Sequence, residues 1–215
     1  GKAIADALRD AGANVVVCDV NDSTKPNYIC DVSKTSDVEA MFKGIERDLG
    51  GLDILVNNAG WTTPVPHHDL DALTDEIFLK TFEVNVYGTW YLSKAAIPYL
   101  KQSEDGNIVN ITSIAGVRQV GSSMAYSMTK AALNQMTKLM AKSCWPVRIN
   151  AVAPGLIETP WTADWDAMHT NVAKSAPLKR SGTPDDCTEA TLGLLRTKYA
   201  TGQIFVVDGG LTLMS

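Results

Sequence analysis

The sequence has little positive charge, few histidines and no long hydrophobic run, and each shortage excludes a class of protein. Among 215 residues, 19 are Lys or Arg and 24 are Asp or Glu, which gives a formal net charge of −5. With no basic run, the chain lacks the electrostatic footprint of a protein that binds nucleic acid or an anionic membrane. No apolar stretch reaches the roughly 18 residues of a membrane span, and the amino end lacks a secretory pattern. We therefore predict a cytoplasmic protein whose partner is a small molecule.

Cysteine and histidine are too sparse and too scattered for a metal site. The four cysteines include no C-x-x-C pair, and only two of the three histidines are adjacent. Because metal sites need clustered ligands at fixed spacing, we predict reduced thiols and no bound metal. The 45% of apolar residues and the modest net charge predict a folded chain. Its length suits a single domain over residues 1–215.

Strand-like and helix-like segments alternate along the chain. Parallel neighbouring strands need crossover connections, so this alternation predicts an α/β fold with a three-layer, doubly wound parallel sheet. Ligands of such sheets bind at the carboxyl ends of the strands. The predicted strands are 14–20, 28–32, 52–56, 107–113, 147–152 and 203–207, and the predicted helices are 1–13, 36–49, 74–102, 124–142 and one that begins at Thr183.

Local signals refine this pattern of helices. Ser36 and Glu39 have the spacing of a capping box, and the long helix over 74–102 is expected to bend near Asn85. Thr183 is followed by a proline and two acids, which is typical of a helix start. The stretch 156–182 has no clear periodicity, and we expect it to cover the substrate.

An aspartate at the end of the second predicted segment is a candidate cofactor ligand. Asp19 lies eighteen residues after Gly1. In a dinucleotide-binding unit, an acid about 20 residues past the glycine loop accepts the adenosine ribose hydroxyls and would repel a 2′-phosphate. The alternative is an aspartate that only makes a turn at a strand end, and the residue alone does not decide between the two.

A tyrosine and a lysine are candidates for proton transfer. Tyr126 and Lys130 stand four residues apart on a predicted helix, so both project from one face. A phenol is a poor base at its ordinary pKa of about 10, but a nearby ammonium favours the phenolate. Ser113, at the end of the preceding strand, would hydrogen-bond a substrate oxygen, and Asn85 would hold a water that links the lysine to solvent. Taken alone, such a pair is more often a surface helix contact than a site.

Five sequence features occur in a fixed order along nearly the whole chain. They are Asn57-Asn58-Ala59-Gly60 at a strand end, Asn85 in the long helix, Ser113, Tyr126-Ser127-Met128-Thr129-Lys130, and Pro154-Gly155-Leu156-Ile157-Glu158-Thr159. This set, with the thirteen-residue gap from Ser113 to Tyr126, resembles the short-chain dehydrogenase/reductase family. The resemblance implies a Rossmann-type fold and hydride transfer between a nicotinamide cofactor and a carbonyl/alcohol pair.

The resemblance also implies roles for the matching residues. Tyr126 would be the acid/base, and Lys130 would lower its pKa and bind the nicotinamide ribose. Ser113 would orient the substrate oxygen, and Asn85 would complete a proton relay. Asp19 would favour NAD over NADP. The other implied cofactor contacts are Gly1, Asp31, Val32, Asn57, Ala59, Gly60, Pro154, Gly155, Ile157 and Thr159, together with Tyr126 and Lys130.

The chain departs from the family pattern at its amino end. The glycine-rich turn Thr-Gly-x-x-x-Gly-x-Gly and the strand before it have no counterpart, and Gly1 aligns only with the last glycine. In the family that strand lies mid-sheet, and losing it would cost roughly 1–3 kcal/mol for each buried backbone group left unpaired. We therefore expect the chain to be N-terminally incomplete. The segment 21–27 is too short for a helix, and the links 144–147 and 195–201 are tighter than is usual for the family.

Two functions from different classes fit the residues. The first is an NAD-dependent oxidoreductase that interconverts a secondary alcohol and a ketone, such as a sugar or polyol, a hydroxyacyl group or a cyclic alcohol. The second is a catalytically silent sensor or scaffold with the same fold, favoured only by the missing glycine turn. Trp61, Trp161 and Trp165 either line an aromatic pocket or pack in the core or a subunit contact. The resemblance implies a homotetramer or homodimer assembled through the two long helices.

Overall fold

The backbone forms two parallel β-sheets in the computed structural model, which describes residues 1–214. Both sheets contain only parallel pairs, which confirms the predicted α/β class. The first sheet pairs β1 (Cys18–Asp19) with β2 (Tyr28–Ile29), and the second has the order β3 (Ile54–Asn57), β4 (Asn107–Ile111), β5 (Arg148–Pro154) and β6 (Ile204–Val207).

Helices connect the strands and cover the sheets. They are α1 (Lys2–Asp10), α2 (Thr35–Leu49), α3 (Asp75–Phe82), a π-helical turn (Glu83–Gly88), α4 (Thr89–Leu100), α5 (Met124–Ser143), α6 (Asp166–Ser175) and α7 (Pro184–Arg196). Short 3₁₀ turns occupy Asp22–Thr24, Ile114–Gly116, Pro160–Thr162 and Leu211–Leu213. None of these helices has the length and apolar content needed to span a bilayer.

Successive residues of β4 point into two different cores, which makes the fold three-layered. Ile108 packs with residues of α2 and α4 on one face, and Val109 packs with residues of α7 on the other. Both side chains are fully buried. This alternation follows from the two-residue period of a strand covered by helices on both faces. The predicted three-layer architecture is confirmed.

The strands beside the junction of the two sheets are shorter or less buried than predicted. The predicted strand 14–20 reduces to β1, and β3 begins at Ile54 with three half-buried residues. Within residues 1–214, β1 pairs only with β2 and β3 only with β4, so no hydrogen-bonded ladder joins the sheets. A cavity separates 15–17 from 54–56. Because these segments lack a neighbour on one side, their regular pairing is limited.

Three helical predictions change in detail. Lys34 rather than Ser36 precedes α2, and no side chain caps it, so the capping box predicted from Ser36 and Glu39 was wrong. The helix over 74–102 is interrupted by the π-helical turn that contains Asn85, at the place where the sequence predicted a bend. The stretch 156–182 contains α6, which the sequence did not predict. No residue of α6 is fully buried. A helix without a buried face needs no apolar stripe, so its sequence gives little periodic signal.

Candidate active site

The predicted site residues meet around one cavity of about 2650 Å³ at the carboxyl ends of β3, β4 and β5. This is the edge where open parallel sheets bind their ligands. The volume exceeds the roughly 300–1,000 Å³ of a usual ligand pocket because the cavity continues between the two sheets. Its lining includes the expected residues Gly1, Asp19, Asp31, Val32, Ala59, Gly60, Ser113, Tyr126, Lys130, Pro154, Gly155, Ile157 and Thr159.

Tyr126 is placed by the first turn of α5. The Ser123 hydroxyl caps this helix and accepts a hydrogen bond from the Tyr126 backbone N–H at 3.2 Å. Ser113 follows β4 and caps the next 3₁₀ turn, with its Oγ accepting from the Ala115 N–H at 3.1 Å. The two hydroxyl side chains thus face the cavity from neighbouring elements.

Lys130 lies one turn after Tyr126 with its ammonium group near the phenol ring. Its Nζ is 5.5 Å from the centre of the Tyr126 ring and donates to the Ile111 backbone carbonyl at 2.9 Å. The residue is only 4% exposed. Burial lowers the pKa of Lys130 to about 8, because the charged form loses hydration. The amine is therefore still largely protonated at pH 7.

The tyrosine pKa moves opposite to the sequence expectation. Burial raises the pKa of Tyr126 to about 12, while the nearby Ser113 hydroxyl acts in the lowering direction. Desolvation of the phenol dominates, so the lowering that the sequence predicted is not seen. The phenol is therefore neutral at pH 7 and carries the proton that a reduction would consume.

Two asparagines expected at the cleft point into the core instead. The Asn57 side chain is buried and donates to Ser93 Oγ at 3.0 Å and Asn110 Oδ1 at 2.8 Å. The Asn85 side chain is fully buried behind the turn at Trp61. Its backbone carbonyl accepts from the Thr89 hydroxyl at 2.8 Å. Neither asparagine is among the residues that line the cavity, and the expected roles of Asn57 in cofactor binding and of Asn85 in a proton relay stay predictions.

The amino end of the cavity has features that fit a dinucleotide. The amino-terminal end of helix α1 lines the cavity, and the positive end of its dipole suits an anionic group. A Cβ on Gly1 would lie 2.9 Å from Asn58 Nδ2, so a larger residue there would crowd this approach. Asp19 lines the cavity while its Oδ1 accepts from the Asn21 N–H at 2.9 Å. Turn formation and ligand contact are thus compatible for Asp19.

Asp31 and Val32 form the neighbouring wall. Asp31 Oδ1 accepts from the Ser33 N–H at 3.1 Å and from the Ser33 hydroxyl at 2.6 Å. These bonds, with the hydroxyl bond foremost, hold the pKa of Asp31 below its ordinary value. Val32 is 7% exposed and sits under Gly88, where a Cβ would approach it to 2.6 Å. This wall is therefore rigidly defined by local packing.

The segment 156–182 leaves the sheet and returns to the same place. The Glu158 N–H donates to the Gly182 carbonyl, and the Gly182 N–H donates to the Leu156 carbonyl, both at 2.9 Å. Inside this closed excursion, His169 contacts Ser181 Oγ at 2.8 Å and the Thr162 carbonyl at 3.2 Å. Its side chains on the cavity wall include Trp161, Trp165, Met168 and Val172.

Two residues inside the quoted motifs were given no role from the sequence. Asn58, not Asn57, lines the cavity, because the strand period of two turns consecutive side chains to opposite sides. That period was a usable signal at the end of β3. Thr129 is fully buried between the two proposed catalytic residues of α5 and hydrogen-bonds Asn85. No sequence pattern indicated this contact, which depends on the π-helical turn.

Comparison with known proteins identifies the family. A family profile described as Enoyl-(Acyl carrier protein) reductase matches residues 1–212. The chain is 42% identical over 229 residues to a putative ketoacyl reductase of granaticin polyketide synthase from Streptomyces violaceoruber, covering 100% of this chain and 92% of that protein. It is 33% identical over 233 residues to L-fucose dehydrogenase from Bos taurus, covering 99% and 85%. The chain belongs to the short-chain dehydrogenase/reductase family.

Solved structures agree with this assignment. The ligand-free aldohexose dehydrogenase of Thermoplasma acidophilum superposes with a TM-score of 0.93 at 29% identity, over 100% of this chain and 90% of that one. A gluconate 5-dehydrogenase from Burkholderia cenocepacia, in complex with NADP and tartrate, gives 0.88 at 28% identity, over 99% and 90%. The protein is therefore an oxidoreductase that acts on CH–OH groups of small molecules with a nicotinamide dinucleotide.

Proposed function

We propose that the protein interconverts a secondary alcohol and a ketone with NAD, with Tyr126 as the acid/base. The observation that carries this proposal is the convergence of Ser113, Tyr126 and Lys130 on one cavity at the carboxyl edge of the sheet. The dinucleotide, when bound, supplies or accepts the hydride. The protein then needs only to orient the substrate oxygen and move one proton.

The three side chains divide this work. The Ser113 hydroxyl orients the substrate oxygen, and Tyr126 donates its proton to that oxygen as the ketone is reduced. The Lys130 ammonium, 5.5 Å from the phenol ring, stabilises the phenolate that remains. In the oxidising direction the same phenolate would take the proton from the alcohol.

The preference for NAD rests on Asp19. Its carboxylate lines the cavity at the end of β1 and would accept ribose hydroxyls while repelling a 2′-phosphate. The nearest competing feature is Lys25, which also lines the cavity and would favour a phosphate. We place the carboxylate first because it directly ends the strand.

The substrate is proposed to be a cyclic ketone or a ketoacyl group. Three tryptophans line the cavity, and Trp61 lies with the Lys80 ammonium 4.5 Å from its ring centre. Such walls suit a bulky, partly apolar substrate. The polyketide ketoacyl reductase among the relatives supports the same class.

We also propose a cytoplasmic homotetramer or homodimer. Tyr87 and Trp90, at the junction of the π-helical turn and α4, are 51% and 43% exposed, and Leu139 on α5 is 56% exposed. These apolar side chains favour an interface through the two long helices. All four cysteines are free thiols, which suits a reducing compartment.

The alternative of a catalytically silent sensor or scaffold is not favoured. Ser113, Tyr126 and Lys130 are all present at the cavity, and the relatives are named as reductases and dehydrogenases. A protein that only senses a cofactor would not need this set of proton-transfer groups.

Replacing the proposed acid/base tests the function. Tyr126→Phe removes only the phenolic oxygen, so we expect loss of ketone reduction with NADH while NADH binding, followed by fluorescence titration, is retained. Tyr99→Phe is the matched control, because the Tyr99 hydroxyl contacts Glu46 away from the cavity, at 3.1 Å. Unchanged turnover in Tyr126→Phe would refute the proposed chemistry, and equal losses in both variants would point to a structural effect.

A further inference from the structure

We infer that Thr129 is a positioning residue, which holds the catalytic helix in register with the loop 58–61 through the side chain of Asn85. This inference rests on the proposed function, because it concerns the placement of Tyr126 and Lys130. It starts from the hydrogen bonds of one buried threonine. Thr129 has no exposed surface. Its hydroxyl makes two hydrogen bonds, one as donor and one as acceptor.

The two bonds of Thr129 join two different elements. Its Oγ1 donates to the Tyr126 backbone carbonyl at 2.7 Å and accepts from Asn85 Nδ2 at 3.0 Å. The single hydroxyl proton is committed to α5, so the oxygen faces the asparagine as an acceptor. The residue therefore ties the backbone of the proposed acid/base to the π-helical turn.

Asn85 carries the connection to the loop. Its Oδ1 accepts from the Trp61 N–H at 2.7 Å, and its Nδ2 donates to the Trp61 carbonyl at 3.0 Å. With Thr129 as the second acceptor, both hydrogens of the amide are used, and no flipped orientation satisfies the same partners. The asparagine is fully buried, so water cannot replace a lost bond.

The loop held in this way passes close to the Lys130 side chain. A Cβ built on Gly60 would lie 3.6 Å from Asn85 Oδ1 and 3.8 Å from Lys130 Nζ. The hydrogen bonds from Asn85 to Thr129 and Trp61 therefore fix the position of the loop relative to helix α5, which carries Lys130. Displacing the loop would therefore change the surroundings of the Lys130 ammonium beside the Tyr126 phenol.

The chain offers a matched control on the same helix. Thr137 is also fully buried, donates to the Leu133 carbonyl at 2.8 Å and accepts from Asn110 Nδ2 at 2.9 Å. Its chemistry is nearly the same as that of Thr129, but its partners lie in the core instead of at the cavity. A purely structural role predicts similar effects for both threonines.

The test compares Thr129→Val with Thr137→Val in the full chain. In Thr129→Val we expect kcat for ketone reduction to fall roughly ten- to hundredfold, as for a small displacement of catalytic groups. Amide hydrogen exchange, read by mass spectrometry on a peptide that contains Trp61, should become faster in this variant. Thr137→Val should leave both kcat and that exchange near the wild-type values, and Thr129→Ser should restore both.

The outcomes separate this inference from the proposed function. The positioning role is overturned if folded Thr129→Val shows the same amide exchange rate at Trp61 as the wild type. It is also overturned if Thr137→Val loses as much kcat as Thr129→Val. If Thr129→Val does not fold, Thr129→Cys replaces it, since the thiol is a much weaker hydrogen-bonding group than a hydroxyl. If the wild type reduces no ketone, the proposed function fails while the exchange measurement still decides whether Thr129 holds the loop.

Discussion

Burial of a lysine for proton transfer should cost the protein stability at neutral pH. The fall of the Lys130 pKa from 10.5 to about 8 means that the folded state disfavours the charged amine. Between these two values the unfolded chain binds more protons than the folded one, so wild-type stability rises with pH through this window. The variant Lys130→Met has no amine at this position, so its stability lacks this dependence on pH.

The pH dependence has a definite size. For pKa values of 10.5 and about 8, linkage predicts that the wild type gains roughly 2–3 kcal/mol of stability relative to Lys130→Met between pH 7 and pH 10. The methionine variant should therefore have its largest relative stability at pH 7 and lose most of that advantage by pH 10. It should also lose ketone reduction, because no cation remains beside Tyr126.

Urea unfolding followed by circular dichroism at pH 7, 8, 9 and 10 measures this difference directly. Lys138→Met is the control, because Lys138 is an exposed residue of the same helix. Its stability difference from the wild type should stay flat over the same range. A Lys130→Met difference that does not change with pH would refute the reasoning about burial.

Three further predictions concern other charges. The rate of ketone reduction should fall above about pH 8, because Lys130 loses its proton there. Tyr126, with a pKa of about 12, stays protonated over the same range. A rate that stays constant up to pH 10 would argue against this role for the lysine. Asp186→Asn removes the carboxylate that binds Arg180 at 2.7 Å and should lower the unfolding free energy by roughly 1 kcal/mol, measured in urea at pH 7. That loss should begin to shrink as pH falls below about 3.8 and should disappear only well below that value, because Arg180 holds the pKa of Asp186 far below its ordinary value in the folded protein. Asp19→Ser should raise KM for NADH and lower KM for NADPH, and equal shifts for both would contradict the assigned preference.

The sequence was informative where a signal is local. Thr183 predicted the start of α7, and the structure has a capping box there between Thr183 and Asp186. Hydrophobic runs predicted β4 and β5, whose residues are buried on both faces. The lengths of β1 and β3 were overestimated, because pairing depends on neighbours that a run of apolar residues does not reveal.

The site was predictable as a set of residues but less so in its orientation. Tyr126 and Lys130 face one cavity, as their four-residue spacing on a helix indicated. The direction of the Tyr126 pKa was not predictable, since it depends on burial of the phenol by distant segments. The core positions of Asn57 and Asn85 depend likewise on partners from β4, α4, α5 and the loop at Trp61.

Transfer of deuterium from NADH carrying two deuteriums at C4 of its nicotinamide to a ketone measures the proposed chemistry most directly. With the wild type, we expect the product alcohol to gain one deuterium on the carbon that bore the carbonyl, as read by mass spectrometry. Tyr126→Phe should bind the labelled NADH and transfer none. Oxidation of the cofactor without label in the alcohol, or equal transfer by Tyr126→Phe, would contradict hydride transfer assisted by Tyr126.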